Sequence, residues 1–516
     1  VGLKGTDAES REAVVAVILD VLGRVCDEGF SPERVKTAFN QLQYSHREIQ
    51  SHYPLRLMNW VYNSWLYDPD PLTYLRTGEF LGQLEARYAA DPDLFVRLIR
   101  TLLLDNPHRT VVTFEPDPTL QERRDREGAE ALASRKAQMS SNALAELARE
   151  SVEFERLQDE PNTAAALATL PRLPIAAVPA IPKAIPVDVR KLDADIELVT
   201  ADIHTNGIGY RALAFDLGGL PEDLWAYVPV FCSLFSRLGT QELDYTEVAE
   251  QIASSTGGIS AGRFIGTQAT DPDQLHAYFT VNMKALDSTF GDALGIVERL
   301  LTQLSLDDTS RLRDVLKQSR ERAISQIVPN GHQFAVQHAA RVLSEAAALS
   351  ELWGGLPFLR LLLRLSDSFE DAVGELRVQV NRIRKFLLSP PRLRAAFTGG
   401  QDPLAKTTDW LGQLTAGMPS AEHPTPPSIG TKERQTGLAE GLAMAADVAF
   451  CTRAMPAPHV SHPDAAPLGV LSQLVSYDYL WEEVRAKGGA YGGFCSYNGQ
   501  ASTFELMSYR DPHIDR

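Results

Sequence analysis

The sequence has few cysteines, and they are widely spaced. Its 516 residues include the four thiols Cys26, Cys232, Cys451 and Cys495, with no C-x-x-C pair among them. A disulfide framework requires cysteines in greater number and at closer spacing, so this set is typical of free thiols in a reducing compartment. Both the cytoplasm and an organelle matrix meet that condition.

Positive charge and long apolar runs are also scarce. The 50 Lys and Arg residues are outnumbered by 67 Asp and Glu residues, which gives a net charge of −17. Nucleic-acid binding requires a basic face, so this class of function is excluded, whereas an acidic protein can attract basic peptides. The longest apolar run, 356–365, is interrupted by Arg360 and Arg364. It predicts an amphipathic helix and no membrane partner.

Familiar catalytic signatures are missing as well. None of the eleven histidines begins H-x-x-E-H, the pattern that places two zinc ligands one helical turn apart with a glutamate to activate water. There is no G-x-S-x-G elbow and no G-K-[ST] phosphate loop. Residues 207–212 spell G-x-G-x-x-A, but a strand follows them, whereas a dinucleotide fingerprint must open a helix.

His459 and His462, with Asp464 nearby, are the remaining metal candidates. They lie in a proline-rich loop, so we favour a loop that caps a helix beginning at Pro463. A metal site there is the alternative.

Apolar periodicity predicts an alternation of helices and strands. Ser31 is expected to cap a helix that starts at Pro32, after a first helix over 12–25. Strands are predicted at 109–114, 196–203, 208–217, 259–281, 392–397, 447–454 and around Tyr491. Because Asn206 and Gly207 separate the second and third of these strands, the two are expected to form a hairpin.

This pattern predicts an α+β fold, in which helices pack in layers on largely antiparallel sheets. Composition shifts divide the chain. We expect the back part of an α+β domain at 1–118, a charge-rich helical hairpin and proline-rich linker at 119–186, an α+β domain at 187–428 and the first part of a last α+β domain at 429–516.

The most informative segment is LWEEVRAKGGAYGGFCSYNGQ at 480–500. It begins with a short amphipathic helix that is expected to carry Leu480, Trp481 and Val484 inward and to end at Arg485. An extended run should follow, because a pair of glycines breaks the helix.

Within that run Tyr491 has glycines close on both sides, which allows another backbone to approach. Arg485 contributes a fixed fork of donors and Tyr491 a hydroxyl that can donate to a carbonyl. The pair suits an extended peptide better than a small molecule. The alternative is a helix C-cap beside a tyrosine that is only packed.

The motif R-x-x-G-G-A-Y-G, with LWEE before it and SYRDPH after it, resembles the C-terminal half of the pitrilysin/insulinase metallopeptidases, in the presequence-protease branch. The likeness runs in the family's order over nearly the whole chain. It includes GTDAESREAVVAVILDVL near the start, NPHRTVVTFEPDP at 106–118, HTNGIGYRALAFDLGGLPED at 204–223, LSELWGGLPFLR at 349–360 and HPDAAPLGVLSQLVSYDYLWEEVR at 462–485.

The resemblance implies a zinc metalloendopeptidase built as a clamshell, whose two halves are joined by the hairpin at 119–160 and close on unfolded peptides in a chamber. It places 1–118 in the second domain of the N-terminal half, and the zinc site in a domain that precedes Val1. The chain is therefore expected to be a fragment that holds no metal and is inactive alone. Arg485 and Tyr491 are implied to contact the substrate backbone and to polarise the scissile carbonyl.

Unfolded peptides and the zinc-bearing half are the partners that this family implies. Two alternatives stay open, since the superfamily includes members without zinc. The chain could be a non-catalytic scaffold, or a partner subunit that meets a zinc-bearing chain in trans.

Overall fold

The computed structural model describes residues 2–3, 5–181, 184–193, 196–427 and 437–514. The fold is α+β, which confirms the predicted class. Contacts divide the chain into two units, one of Val1–Phe30 with Ala86–Ile185 and the other of Ser31–Glu85 with Pro186–Arg516. The domain boundaries inferred from composition stay a prediction.

The α-helices are α1 (Arg11–Glu28), α2 (Pro32–Arg47), α3 (Tyr53–Trp65), α4 (Thr77–Ala90), α5 (Leu94–Ile99), α6 (Leu120–Ala137), α7 (Ser141–Asp159), α8 (Ala164–Ala168), α9 (Val228–Leu234), α10 (Tyr245–Ser255), α11 (Phe290–Gln303), α12 (Thr309–Ile327), α13 (Gly331–Ala340), α14 (Glu345–Gly354), α15 (Leu356–Asp367), α16 (Phe369–Leu387), α17 (Gln401–Ala416) and α18 (Ala465–Leu474). The strands are β1 (Asp188–Lys191), β2 (Glu197–Ala201), β3 (Ile208–Asp216), β4 (Gly258–Gln268), β5 (Asp271–Leu286), β6 (Leu393–Thr398), β7 (Thr452–Pro456), β8 (Gly492–Asn498) and β9 (Thr503–Tyr509). Residues Arg100–Leu104 and Val475–Lys487 form π-helices.

In the first unit, α1 packs against α5 and the π-helix that follows it. The predicted helices of 119–160 are confirmed as α6 and α7, which are exposed along nearly their whole length. Their packing as a hairpin stays a prediction. The strand predicted at 109–114 is wrong. Phe114 is 93% exposed, and no strand among the described residues lies alongside to pair with this segment.

The second unit contains a six-stranded sheet in the order β1-β2-β6-β3-β5-β4. All its neighbours are antiparallel except β2 and β6. The predicted hairpin of β2 and β3 is wrong, because β6 lies between these strands. Asn206 and Gly207 still make a tight turn, with φ of 55° and 75°. The strand predicted at 259–281 is the β4–β5 hairpin, and the one at 392–397 is β6.

Helices cover one face of this sheet, where Leu213, Phe215 and Phe279 are fully buried. The Phe231 ring of α9 stacks on Phe279 with 4.8 Å between centroids. Side chains on the opposite face, such as Asn282 on β5, stay partly exposed. The main core therefore lies between the sheet and its helices.

The segment Glu345–Asp367 has the length and apolar composition of a membrane span. In this structure it is broken into α14 and α15 beside Gly355, and Trp353 and Leu365 are fully buried. The Trp353 indole N–H donates to the Trp225 carbonyl at 2.8 Å. The segment is thus part of the core of the second unit.

Helix α2 also belongs to the second unit. The Ser31 hydroxyl accepts from the Arg34 N–H at 3.3 Å, so the predicted N-cap is confirmed. The Asn40 amide donates to the Ser254 carbonyl at 3.0 Å, which fastens α2 to the end of α10.

A smaller antiparallel sheet, in the order β7-β9-β8, completes the second unit. Helix α13 packs on β7 and β9, while α18 and the π-helix Val475–Lys487 pack on β8. The strand predicted at 447–454 is confirmed only at its end, since β7 begins at Thr452. This sandwich positions the candidate site.

Limited proteolysis should cut first within 160–181. This stretch is exposed throughout and contains only short helical turns, so its backbone can enter a protease cleft. Brief subtilisin digestion followed by mass spectrometry of the fragments tests this. Early cuts within 206–300, with 160–181 protected, would contradict the expectation.

Candidate functional site

The π-helix Val475–Lys487 brings two predicted site elements together at its C-terminal end. Leu480 is buried and Val484 partly buried, as predicted, but Trp481 is 50% exposed, so its predicted inward position is wrong. Hydrogen bonds from i to i+5 widen each turn, so the side chains do not follow the 3.6-residue face that the sequence suggests. Trp481 instead lies against Arg485.

The Arg485 guanidinium lies between two aromatic rings. Its central carbon is 4.1 Å from the centroid of Trp481 and 5.3 Å from that of Tyr491. Cation–π contacts of this kind contribute about 0.5–1 kcal/mol each at exposed sites. Within the part of the chain that the structure describes, the guanidinium makes no hydrogen bond or ion pair. Its N–H groups are therefore free to bind an added acceptor.

Tyr491 directly precedes β8 and is 63% exposed. After the π-helix the chain turns towards this strand at Gly489, whose φ of 78° suits glycine. The Tyr491 N–H donates to the Arg510 carbonyl at 3.3 Å, while its hydroxyl has no partner among the described residues. Arg485 and Tyr491 are thus neighbours with unused donors.

Gly493 allows the π-helix to lie close to β8. A Cβ at this position would be 3.1 Å from the Leu480 and Val484 Cβ atoms, closer than ordinary contact. The Ser476 hydroxyl adds a polar link, because it accepts from the Cys495 N–H at 2.8 Å and donates to the Cys495 carbonyl at 3.1 Å. Both contacts fix the helix that carries Arg485 against the strand that follows Tyr491.

The histidine loop does not form a metal centre. The His459 ring nitrogens are hydrogen bonded to the Thr267 hydroxyl at 2.8 Å and the Ser461 hydroxyl at 3.0 Å. His462 accepts from the N–H of Asp464, the residue that precedes α18, at 3.1 Å. No group of three His, Cys, Asp or Glu residues in the described ranges could hold a metal ion, so these residues do not fit zinc.

The cysteines are all free, which confirms the predicted thiols. Burial raises the pKa of Cys495 to about 11 and that of Cys232 to about 12. Both thiols are therefore neutral at neutral pH, and a nucleophilic role does not suit them.

Sequence reasoning missed Tyr509 as a neighbour of Tyr491. The two rings lie 5.8 Å apart between centroids at 76°, an edge-to-face arrangement. Tyr509 lies opposite Gly492 in the β8–β9 pairing. Counting back from the Gly499–Ser502 turn of this hairpin would have aligned them.

Comparison with known proteins places this geometry in a family. Residues 114–365 match the family of segments associated with subfamily C of the pitrilysin-type peptidases, and residues 464–516 match the PreP C-terminal domain. The presequence protease 1, chloroplastic/mitochondrial, of Arabidopsis thaliana is 28% identical over 100% of this chain and 48% of that protein. The mitochondrial presequence protease of Yarrowia lipolytica is 26% identical over 100% of this chain and 52% of that protein. Protein HypA of Clostridium perfringens is 24% identical over 99% and 52%.

The chain belongs to the pitrilysin/insulinase superfamily of peptidases. Within that superfamily it is a C-terminal portion of the presequence-protease branch, as the motif around Tyr491 indicates. It spans about half the length of the curated relatives it matches.

Replacing Gly493 with alanine should destabilise the sandwich that holds Arg485. The added methyl group must push the π-helix and β8 apart, and overpacking of this kind typically costs about 1–3 kcal/mol. Thermal unfolding of Gly493→Ala measures the loss. Gly469→Ala in α18 is the matched control, because a Cβ there meets nothing within 4 Å. A Gly493→Ala protein as stable as the wild type would contradict the close approach.

Proposed function

We propose that this chain is the C-terminal part of a zinc metalloendopeptidase that degrades unfolded peptides in a closed chamber. The chain supplies chamber wall and, through Arg485 and Tyr491, contacts to the substrate backbone. The proposal is supported chiefly by the position of two unused donors side by side at one end of the small sheet, in a peptidase family.

The chemistry of these two side chains suits a peptide carbonyl. During attack on a peptide bond the carbonyl oxygen gains negative charge, and donors held in place beforehand stabilise it. The Tyr491 hydroxyl can donate to that oxygen, and Arg485 can offer a fork of N–H groups to the oxygen or to a neighbouring carbonyl. Stacking of Arg485 on Trp481 limits the motion of the fork before substrate arrives.

Zinc and the general base would belong to the other half of the protein, since the described residues of this chain do not fit the metal. The site would then be complete only when the two halves close on a peptide, which also excludes water. Unfolded peptides, basic ones included, are the expected substrates, because the net charge of −17 attracts cations. The free thiols and the chloroplastic or mitochondrial relatives favour a reducing organelle matrix.

A non-catalytic role is the second candidate. The lack of a metal-ligand group in the described ranges favours it, because a scaffold or partner subunit needs no zinc. The sequence upstream separates the two: H-x-x-E-H there supports the enzyme, and its absence supports the scaffold.

The isolated chain should bind no stoichiometric zinc and should cleave no peptide, because it offers no ligand set. Elemental analysis after dialysis and a quenched-fluorescence peptide assay test these points. One tightly held zinc per chain, with cleavage that a chelator abolishes, would refute the division of labour between the halves.

In the complete protein, Tyr491→Phe should lower kcat by roughly 100- to 1000-fold, the usual effect of losing one oxyanion donor. KM should change little, since the hydrogen bond strengthens mainly in the transition state. Arg485→Ala should affect both kcat and KM, because this side chain would also hold the peptide in register. Steady-state kinetics on one fluorogenic peptide measures both constants, with melting temperatures to exclude unfolding.

Two matched controls accompany these variants. Tyr479→Phe removes a hydroxyl from a tyrosine that is 64% exposed on the same π-helix, and Arg453→Ala removes an exposed cation from β7. Both controls should keep full activity. A Tyr491→Phe enzyme within about twofold of wild type would mean that Tyr491 is only packed, since an oxyanion donor is worth far more.

A further inference from the structure

Tyr491 has little of its own to hold its ring in place. Glycines lie before and after it, most of its surface is exposed, and its hydroxyl has no partner among the described residues. Its ring contacts are with the guanidinium of Arg485, on a long side chain, and with the ring of Tyr509. A donor that must meet a carbonyl within a few tenths of an ångström needs firmer support than Arg485 alone can give.

Tyr509, in contrast, is held on several sides. It ends β9, the central strand of the small sheet, which pairs with both β7 and β8. The His332 ring meets Tyr509 edge-on at 4.9 Å and 71°, and the Phe450 ring is 5.8 Å away. The edge of Tyr509 is therefore set by the backbone of β9 and by two further rings.

Helix α13 supports this arrangement from below. A Cβ at Gly331 would be 2.4 Å from the Phe450 ring, so the start of α13 is in direct contact with that ring. His332, the next residue, also meets Phe494 at 5.9 Å. Burial lowers the pKa of His332, which favours a neutral ring among the aromatics at neutral pH. The ring contacts therefore run from α13 through Tyr509 to Tyr491.

We infer that Tyr509 is a positioning residue that fixes the ring of Tyr491 for its contact with the substrate, with His332 as the support of Tyr509. Tyr509 does not touch the reacting atoms in this scheme and acts only through Tyr491. The inference rests on the proposed function, because it matters for turnover only if the Tyr491 hydroxyl does.

Single variants of the complete protein give the first test. Tyr509→Leu removes the ring and should lower kcat roughly 10- to 100-fold with little change in KM, since a shift of about 1 Å in a catalytic group can cost about 100-fold. Tyr509→Phe keeps the ring and should stay near wild type, because the Tyr509 hydroxyl has no hydrogen bond in the described structure. Equal losses in both variants would overturn the inference.

A double-mutant cycle separates positioning from general stability. If Tyr509 acts through the Tyr491 hydroxyl, Tyr509→Leu should cause no further loss of kcat in a Tyr491→Phe background. Tyr497→Leu is the control, because the Tyr497 hydroxyl donates to the Pro458 carbonyl in the same sheet without contact to Tyr491. Any effect of Tyr497→Leu should be the same in both backgrounds.

Each outcome decides a different point. Multiplied losses for Tyr509→Leu and Tyr491→Phe would overturn the positioning role while leaving the proposed function in place. A fully active Tyr491→Phe enzyme would overturn both. If Tyr509→Leu does not fold, His332→Ala takes its place, and a smaller kcat loss that disappears in the Tyr491→Phe background supports the inference. A loss that persists there refutes it.

Discussion

The close approach of the π-helix Val475–Lys487 to strand β8 is the constraint on which the candidate site depends. It is possible because Gly493 has no side chain, and the Ser476 hydroxyl closes the remaining distance by bonding both backbone groups of Cys495. Arg485 near the end of the helix and Tyr491 just before the strand then become neighbours, although five residues separate them in the chain. A wider spacing would leave two unrelated surface side chains.

The aromatic contacts build on that spacing. Trp481, Arg485, Tyr491 and Tyr509 form a continuous row of ring and guanidinium contacts at the edge of the small sheet. Each contact is weak alone, but the row leaves the polar ends of Arg485 and Tyr491 unbonded within the described structure. Side chains held by their apolar parts can orient donors without using them up. This is the property that a site for a peptide backbone needs.

Local features were predictable from the sequence, whereas features set by distant partners were not. The cap at Ser31 depends on its next few residues, and the breaks around Tyr491 depend on adjacent glycines. The hairpin of β2 and β3 failed because β6, which comes far later in the chain, pairs between them. The orientation of Trp481 failed because π-helical turns do not follow the period assumed for an α-helix. Tyr509 became visible only through strand pairing.

The account's central claim is that Arg485 and Tyr491 hold the backbone of a substrate peptide. A structure of the complete protein with an uncleaved peptide bound tests it most directly. The claim predicts the Tyr491 hydroxyl and an Arg485 N–H within about 3 Å of peptide carbonyl oxygens, the ordinary hydrogen-bond distance. A peptide bound in the chamber with both side chains turned away from its backbone would contradict the claim.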